Sequence, residues 1–294
     1  MKKCKILINA YPSPPSAANQ ANRLKEELEA RGVSTEILRN NFFAAEICGD
    51  GNIADRLGEC DFCIYLDKDK YISNMLERCG VRLFNCADAI EACDDKMTTF
   101  IRLAGAGIPM PVTLPGLLCY RPEEAIQPQA TDYIERRLKY PLIVKMSYGS
   151  LGSGVFKADT RQELDEICNK VKCVPHLFQQ FIAESCGRDM RVIVIGGKCV
   201  AAMIRTAHGD FRSNIELGGS GTPCTPPPEV EEMCLKAAKI LNLDYCGIDI
   251  LFAKDGYRLC EVNSNAFFGG IERVTGINVG GLYADHIVRT VCKK

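Results

Sequence analysis

The chain has 294 residues, 47% hydrophobic and 25% charged, which is typical of a folded protein with two or three subdomains and excludes a disordered chain. Its 36 lysines and arginines nearly cancel its 37 aspartates and glutamates, so no overall charge draws the surface onto nucleic acid or anionic lipid. We therefore expect neither a nucleic-acid nor a membrane partner, although a local basic cleft is compatible with these counts.

The first third of the chain alternates strand and helix patterns, with short apolar runs separated by amphipathic or polar segments. In chain order we expect a strand over 4–11, a helix over 16–31, strands over 34–40 and 61–67, a helix over 71–79 and a strand over 81–85. Strands joined through helices pair in parallel, so residues 1–92 are predicted to form a small parallel-sheet domain.

A single helix over 87–107 and the proline- and glycine-rich stretch "IPMPVTLPG" are expected to end this region. Beyond residue 140 the pattern changes to hairpin-like strands with helices between them. In chain order we expect strands over 141–147 and 152–158, a helix over 160–172, strands over 176–182, 188–197 and 198–205, a helix over 228–241 and a hairpin over 246–263.

Seventeen cysteines are unusual for a chain of this length. The opening "MKKCKILINAYP" has too short an apolar run for a secretory signal, so we expect a cytoplasmic location, where cysteines stay reduced. Most of the cysteines lie in apolar stretches, which favours small buried side chains. Only Cys60 and Cys63 form a C-x-x-C, without a second pair at matching spacing, so a zinc or redox site is the less favoured alternative.

The last hairpin, "CGIDILFAKDGYRLCEVN", carries hard oxygen ligands. A three-residue turn at 254–256 would place Asp249 opposite Glu261. Side chains alternate along a strand, so Glu261 and Asn263 are expected to share one face while Cys260 points to the other. Three oxygen donors are too few for a closed Ca²⁺ cage but suit Mg²⁺ shared with phosphate oxygens. A solvated polar face of an antiparallel sheet is the alternative.

A glycine-rich stretch, "KMSYGSLGSGV", follows a predicted apolar strand. Lys145 ends that strand, and Gly149, Gly152 and Gly154 follow among serines, so backbone N–H groups and hydroxyls could be presented to an anion by a loop able to close over it. The flanks predict strands on both sides, unlike a Walker A loop or a Rossmann fingerprint. A plain glycine–serine turn is the alternative.

Three further segments carry weaker signals. Taken alone, the run Asp94–Lys96 favours a solvated helix surface. Phe181 and Ile182 end an apolar strand that could line an adenine slot, and Asp189, which shares a strand face with Arg191, could bind a ribose.

The loop "IRTAHGDFRSNIELGG" contains Arg205, Arg212 and Asn214. Arginine matches the geometry of carboxylates and phosphates, although each arginine alone is more often simply solvated. A general-base role for His208 is disfavoured, because an imidazole in a polar loop is commonly incidental. No G-x-S-x-G or H-E-x-x-H is present, which disfavours covalent catalysis and metalloprotease chemistry.

In this order, the glycine-rich loop with its lysine, the apolar slot, the basic loop and the oxygen-rich hairpin resemble the ATP-grasp superfamily, specifically the RimK-type, alpha-L-glutamate ligase-like, carboxylate–amine ligases. The matching segments span about residues 80–285. They are "NCADAIEACDDKMTTFIRLAGAGIPMP", "PLIVKMSYGSLGSGV", "QQFI", "DMR", "GDFRSN", "CGIDIL", "EVN" and "GIERVTGINV".

The resemblance implies a mixed α/β and α+β architecture, an ATP-grasp fold with an N-terminal Rossmann-like pre-grasp domain. The implied domains are 1–92 and 93–294, the latter divided into a lid subdomain at about 108–182 and a C-terminal subdomain at about 183–294. A homo-oligomer, either a dimer or a tetramer, is also implied.

The resemblance further implies site residues for ATP and for one or two Mg²⁺ ions, with Mn²⁺ as a substitute. Those for ATP are Lys96 and Lys145 at the phosphates, the flap residues Tyr148, Gly149, Ser150, Gly152, Ser153 and Gly154, the adenine residues Gln180, Phe181 and Ile182, and Asp189 at the ribose. The implied metal ligands are Asp249, Glu261 and Asn263. Arg212 and Asn214 would steady the γ-phosphate and the acyl phosphate, and Arg205 would bind the substrate carboxylate.

The implied activity is an ADP-forming C–N ligase that makes an amide through an acyl phosphate, adding glutamate or another amino acid to an amine or peptide acceptor. An ATP-binding sensor or scaffold that uses the same cleft without ligation is the alternative. The sequence departs from the family pattern at two places. Gln179-Gln180-Phe181 stands where Gln-Glu-aromatic is usual, and "SNAFFGG" stands where Ser-Pro-Gly commonly follows Asn263.

Overall fold

The N-terminal third of the chain is built on a parallel sheet. The computed structural model describes residues 1–11, 14–149, 152–207, 209–213 and 219–292. The elements of this part are strands β1 (Lys3–Ile8), β2 (Ser34–Arg39), β5 (Phe62–Leu66) and β6 (Leu83–Phe84), the separate hairpin β3 (Ala45–Ile47) and β4 (Ile53–Asp55), and helices α1 (Pro15–Glu29), α2 (Lys70–Arg78) and α3 (Ala87–Asp94). The strand order in the sheet is β2-β1-β5-β6, so the chain reverses its direction across the sheet between β1 and β5.

The middle of the chain forms one helix, α4 (Lys96–Leu103), followed by an antiparallel sheet with two further helices. The remaining elements are β7 (Thr113–Pro115), α5 (Pro128–Leu138), β8 (Leu142–Met146), β9 (Val155–Ala158), α6 (Arg161–Val171) and β10 (His176–Gln180). The strand order is β7-β10-β8-β9, and β8 pairs with β9 as the predicted hairpin. Apolar side chains of this sheet pack with α5 and α6 into one core.

A larger antiparallel sheet forms the last part of the structure. Its elements are β11 (Arg188–Ile195), β12 (Lys198–Thr206), β13 (Ser220–Pro223), α7 (Pro228–Ile240), β14 (Tyr245–Ala253), β15 (Gly256–Asn263), α8 (Gly269–Thr275) and α9 (Val279–Cys292). The strand order is β13-β12-β11-β14-β15. Short 3-10 turns lie at Asn40–Phe42 and Ala183–Ser185.

Both faces of this larger sheet are covered. Residues such as Val192 and Ile248 pack against α7, whereas Ile193 and Met203 on the other face pack against α8, α9 and the N-terminal strands. Period-two alternation gives the strands two apolar faces, which is the pattern of a sheet buried on both sides. The N-terminal third therefore shares a core with the sheet that ends the chain.

Two local expectations are wrong. The single helix expected over 87–107 is two helices, because the Asp95 side chain accepts hydrogen bonds from the N–H groups of Met97 and Thr98 and caps a new helix. Cys260 does not simply alternate away from Glu261. The register shifts between Asp249 and Ile250, which leaves Cys260 as an extra residue in the ladder, and both Cys260 and Glu261 line the same cleft.

The boundary expected after residue 92 falls inside α3 (Ala87–Asp94). The predicted domain limits at 92, 108, 182 and 183 stay predictions. In the parts of the chain that the structure describes, no helix has the length and apolar character needed to span a bilayer.

Candidate functional site

A solvent-open cleft with about 850 Å³ of unfilled space lies between the β7–β10 sheet and the β11–β15 sheet. Its walls come from strands of both sheets, from the loop between β8 and β9, and from the start of α4. Most of the sequence-predicted site residues border it. Those that do are Lys96, Lys145, Gly149, Gly152, Ser153, Gln180, Phe181, Ile182, Asp189, Arg205, Arg212, Asp249 and Glu261.

Three predicted residues that the structure describes do not border the cleft, whereas Ser150 and Asn214 lie outside the described residues, as does His208. Tyr148 is 43% exposed beside the cleft, and Gly154 lies under Met146, where an added Cβ would come within 2.8 Å of the Met146 sulfur. Asn263 pairs with Gly247 at the end of β15.

Lys145 connects the two sheets across the cleft. It lies on β8, which pairs with β10 on one side and β9 on the other, and it is only 7% exposed. Its Nζ lies 3.6 Å from the Cys260 sulfur on β15. Burial raises the pKa of the Cys260 thiol, and the nearby Lys145 charge partly opposes that shift. The thiol is therefore a neutral neighbour, and the lysine charge is not neutralised by it.

Lys96 joins three elements at the other side of the cleft. It is the first residue of α4, directly after the capping Asp95, and is 7% exposed. Its Nζ donates to the Gly149 carbonyl at 2.9 Å and lies 3.6 Å from Glu261 Oε1. The run Asp94–Lys96, taken alone, predicted a solvated helix surface, and this prediction is therefore wrong for Lys96.

The loop between β8 and β9, which we call the flap, is held from two sides. Gly149 has φ 139° and Gly152 has φ 76°, conformations that favour glycine over residues with a Cβ. Lys96 binds the Gly149 carbonyl, and Arg212 Nη1 donates to the Gly152 carbonyl at 3.0 Å. Arg212 is oriented by Asp210, 2.7 Å away, and this contact raises the pKa of Arg212. Two cations thus meet the backbone of the flap.

An apolar slot lies at the β10 end of the cleft. Gln180, Phe181 and Ile182 border it together with Ile143 and Leu251 from the two sheets. The Gln180 N–H already donates to the Val112 carbonyl at 2.9 Å, which fixes the strand edge. A flat aromatic ring could enter between the two aliphatic walls.

Four charged side chains form a buried alternating row on one face of the β11–β15 sheet. Arg205 Nε donates to Asp189 Oδ1 at 2.7 Å, and Arg205 Nη2 lies 2.9 Å from Asp249 Oδ1. Arg191 binds Asp249 through both Nε and Nη2, the latter at 2.8 Å. Both Asp189 oxygens accept from Arg205, so a ribose hydroxyl would share that carboxylate with the arginine.

The row sets the protonation states of its members. Burial alone would lower the pKa of Arg205, but the charges of Asp249 and Asp189 outweigh it and the pKa is raised. Burial alone would raise the pKa of Asp249, but the charges of Arg191 and Arg205 hold it below its ordinary value of 3.8. Asp249 is therefore an ionised carboxylate at neutral pH, as a metal ligand must be.

Replacing Asp249 with asparagine is expected to lower the free energy of unfolding by about 3–5 kcal/mol at neutral pH, because two buried guanidinium groups lose a counter-charge. Since the folded-state pKa of Asp249 is lowered, the stability that its charge contributes is complete above pH 3.8. That stability is lost as the pH falls through the folded-state pKa. Urea unfolding of parent and variant across this range measures both effects.

The matched control is Asp255→Asn, which changes an exposed carboxylate in the turn of the same hairpin, paired with Arg258. This control should unfold like the parent. Equal unfolding free energies for Asp249→Asn and the parent at neutral pH would contradict the prediction.

Asp249 and Glu261 are direct partners across the β14–β15 ladder, as the sequence predicts, but the expected three-residue turn at 254–256 is wrong. Ala253 pairs with Gly256, so the turn has two residues, and the extra residue Cys260 restores the pairing. Two carboxylates facing one cleft can hold a divalent cation together with ligand oxygens. Within the described ranges, no group of three or more His, Cys, Asp or Glu side chains is arranged to hold a metal, and the seventeen cysteines are free thiols.

Sequence reasoning missed three contributors to this site. Arg191 was noted only as sharing a face with Asp189, and its role as a partner of Asp249 depends on the register of β11 with β14. Cys260 borders the cleft because of the β-bulge, and no residue type in the sequence predicts that bulge. Arg188 borders the cleft with its guanidinium 4.2 Å from the Phe252 ring centre.

Comparison with known proteins gives a consistent result. The family model described as "RimK-like ATP-grasp domain" matches residues 93–287. The chain is 36% identical over 223 residues to human N-acetylaspartylglutamate synthase A, covering 75% of this chain and 56% of that protein. It is 35% identical over 223 residues to human beta-citrylglutamate synthase B, with coverage of 75% and 56%.

A bacterial relative is covered more fully. The chain is 36% identical over 223 residues to a probable alpha-L-glutamate ligase of Maridesulfovibrio salexigens, covering 74% of this chain and 70% of that protein. The chain thus spans little more than half the length of the two human relatives.

Solved structures share the fold at low sequence identity. The D-alanine–D-alanine ligase of Bacillus anthracis matches with a TM-score of 0.76 at 16% identity, covering 100% of this chain and 98% of that one. The ATP-grasp ligase PsnB, complexed with its minimal precursor, Mg and ADP, matches with a TM-score of 0.70 at 18% identity, with coverage of 98% and 97%. These matches confirm the predicted ATP-grasp fold.

Proposed function

Because the chain belongs to the RimK-like ATP-grasp family, we propose that it is an ATP- and Mg²⁺-dependent carboxylate–amine ligase that releases ADP. The observation that carries this proposal is one cleft in which Lys96 and Lys145, the flap and the paired carboxylates of Asp249 and Glu261 meet. Cations and backbone N–H groups of a glycine-rich loop suit nucleotide phosphates, and the carboxylates suit the divalent ion that accompanies them.

The proposed nucleotide lies along the cleft. The adenine enters the slot bordered by Gln180, Phe181 and Ile182, and the ribose lies near Asp189. The triphosphate lies under the flap, between Lys96 and Lys145. Support comes from the order of these groups along one continuous wall, apolar at the β10 end and cationic at the α4 end.

The donor set fits Mg²⁺. Asp249 and Glu261 face each other across the ladder, and Mg²⁺ usually takes one or two carboxylates plus phosphate oxygens rather than a complete protein cage. Asn263 is the proposed third protein ligand, and Mn²⁺, which prefers the same oxygen ligands, is the proposed substitute. When bound, the ion offsets negative charge on the phosphates and orients them.

The proposed reaction has two displacements. A substrate carboxylate oxygen attacks the γ-phosphorus of ATP, which breaks the bond to ADP and gives an acyl phosphate. An amine nitrogen then attacks the acyl carbon, loses a proton, and expels phosphate to leave an amide. Arg212 and Asn214 would steady the transferred phosphoryl group, and Arg205 would attract the acid. Positioning and charge stabilisation lower the barrier without a protein nucleophile.

Glutamate is the proposed amine. The names of the relatives refer to glutamate, either as part of the product or as the ligated amino acid. In N-acetylaspartylglutamate and beta-citrylglutamate, glutamate is joined to an acid. The acid is therefore proposed to be a small polycarboxylate or a peptide with a free carboxylate. Closing of the flap would exclude water and protect the acyl phosphate from hydrolysis.

The test is incubation of the protein with ATP, Mg²⁺ and L-glutamate, together with N-acetyl-L-aspartate, citrate or a glutamate-terminated peptide in separate reactions. We expect one ADP for each amide with at least one acid, with ADP measured enzymatically and the amide by mass spectrometry. If ATP binds but no acid gives ADP or amide, the ligase proposal is wrong and the sensor or scaffold alternative is favoured.

A dimer or tetramer of this chain and a cytoplasmic location remain predictions from the sequence. Light scattering of the purified protein, measured with and without nucleotide, tests the first of these.

A further inference from the structure

Two cysteine side chains meet on the surface at the edge of the β7–β10 sheet. Cys119 lies shortly after β7, and Cys173 lies in the turn between α6 and β10. Neither residue borders the cleft. Cys173 is exposed and Cys119 is partly exposed, so a small solute can reach both thiols.

The backbone holds the two segments side by side. β7 pairs with β10 in antiparallel fashion, and the Gly116 N–H donates to the His176 carbonyl at 2.8 Å, which extends this pairing beyond the last residue of β7. The Cys119 N–H then donates to the Lys172 carbonyl at 2.7 Å. Lys172 directly precedes Cys173, so these bonds fix residue 119 beside the turn that carries the second thiol.

The two thiols also contact each other. Desolvation raises the pKa of Cys173, and electrostatic repulsion from Cys119 together with a side-chain hydrogen bond between the two raises it further. Facing residues in neighbouring antiparallel segments have Cα atoms roughly 4.5–5.5 Å apart, inside the range of roughly 4.4–6.8 Å that a disulfide spans. A bond between the two sulfur atoms therefore needs little movement of the backbone.

Two other neighbouring thiol pairs lack this access. Cys234 contacts Cys199 but is completely buried. Cys63, the second cysteine of the C-x-x-C, is also completely buried, and desolvation raises its pKa. An exchange reaction needs an accessible thiolate, and burial opposes both access and ionisation. The C-x-x-C noted in the sequence is thus a weaker redox candidate than Cys119 and Cys173, which lie far apart along the chain.

We propose that Cys119 and Cys173 are a reversible modification site that forms a disulfide on exposure to glutathione disulfide. The thiolate of one cysteine attacks glutathione disulfide, which gives a mixed disulfide and releases one glutathione. The thiolate of the other cysteine then attacks the protein sulfur of the mixed disulfide and releases the second glutathione. The two protein thiols lose two protons and two electrons, which reduce the small disulfide to two thiols. This exchange is independent of the proposed ligase activity.

The disulfide closes residues 119–173 into a covalent ring. The ring contains α5, β8, the flap, β9 and α6, and buried residues such as Leu142 and Leu164 of their common core lie within it. A cross-link restricts the unfolded chain, and the restriction is larger when the ring is long. Oxidation is therefore expected to stabilise this sheet with its two helices, and reduction by thiols is expected to reverse the effect.

Peptide mapping tests the linkage. The native protein is equilibrated with glutathione disulfide, its remaining thiols are blocked with N-ethylmaleimide in urea, and linked peptides are identified by mass spectrometry. We expect a peptide pair joined through Cys119 and Cys173, which is lost when dithiothreitol precedes blocking. Cys173→Ser should instead keep a glutathione adduct at Cys119, because the second attack is missing. Cys186→Ser changes another exposed cysteine and, as the control, should leave the linked pair intact.

Urea unfolding supplies the second measurement. The oxidised parent should unfold at a higher urea concentration than the reduced parent, by roughly 0.5–1 M. Cys173→Ser should unfold like the reduced parent both with and without glutathione disulfide, and this result also shows that the variant is folded.

Absence of the linked peptide pair after equilibration would overturn the proposal, whether the two thiols stay free or each carries glutathione. An oxidised parent that unfolds at the same urea concentration as the reduced parent, or at a lower one, would overturn it as well. Both measurements use the protein without nucleotide or substrates, so a failure of the proposed ligase function would leave their outcome unchanged.

Discussion

Glu261→Gln is expected to reduce ATP-dependent amide formation about a thousandfold or more. Removing one stabilising group at a site of developing charge typically lowers the rate by a factor of ~10²–10³, and this change also removes a proposed metal ligand. Glu261 faces Asp249 across the ladder and lies 3.6 Å from the Lys96 ammonium. Glutamine keeps the shape of the side chain but removes its charge. Steady-state rates of ADP and amide production measure the effect.

The fold should survive this change, because the Glu261 side chain is 27% exposed and belongs to a cleft wall rather than to a core. Asp255→Asn, the same kind of change in the turn of the same hairpin, is the control and should retain the parent rate. Parent-level amide formation by Glu261→Gln would refute the proposed role of Glu261 as a metal ligand.

Lys145→Ala is expected to lower amide formation by about 10²–10³, since the lysine would no longer offset charge on the transferred phosphoryl group. Its Nζ has the Cys260 thiol as its nearest partner, so its removal leaves no carboxylate without a counter-ion. We therefore expect a folded variant with a thermal unfolding midpoint close to that of the parent. Rates at saturating ATP measure the kinetic effect.

Lys170→Ala is the control for this variant. Lys170 lies on α6 in the same part of the chain and covers the Phe156 ring, away from the cleft wall. It should keep the parent rate. If Lys145→Ala and Lys170→Ala behaved alike, the contact of Lys145 with the phosphates would have to be abandoned.

The parts of the fold that follow from local patterning could be read from the sequence. The hairpin of β14 and β15 is an example in its existence and in the pairing of Asp249 with Glu261, although that pairing arises from a two-residue turn and the bulge at Cys260 rather than from the expected three-residue turn. The β8–β9 hairpin with its glycine-rich loop is another. In both cases, residues near one another in sequence determine the geometry.

Other elements were missed although a signal was present. Asp95 is a good N-cap residue, yet it stands inside a run with continuous helical periodicity, and the periodicity hid the break between α3 and α4. Helix α5 begins with Pro128 at its first turn, a recognised start signal, and Thr131, Ile134 and Leu138 lie on one buried face at helical spacing. The signals for α5 were therefore present in the sequence, whereas at Asp95 the cap and the periodicity disagreed.

The pairing of charges could not be predicted from one sequence. Arg191, Arg205 and Asp189 are visible as residues, but which carboxylate each arginine binds depends on how β11 lies between β12 and β14. The same limit applies to Gln20 and Asn265, which meet across 245 positions of the chain. Contacts of this range depend on the packing of whole sheets rather than on spacing.

The shared core beneath the β11–β15 sheet bears on how the chain can be divided. The matched family segment begins at residue 93, but Ile193, Ile195 and Met203 on that sheet pack together with Ile6 and Leu24 from the first strand and helix. Removing the first 92 residues would expose a continuous apolar surface of a kind that soluble monomers rarely have. The matched family segment and the residues that precede it thus share one hydrophobic core.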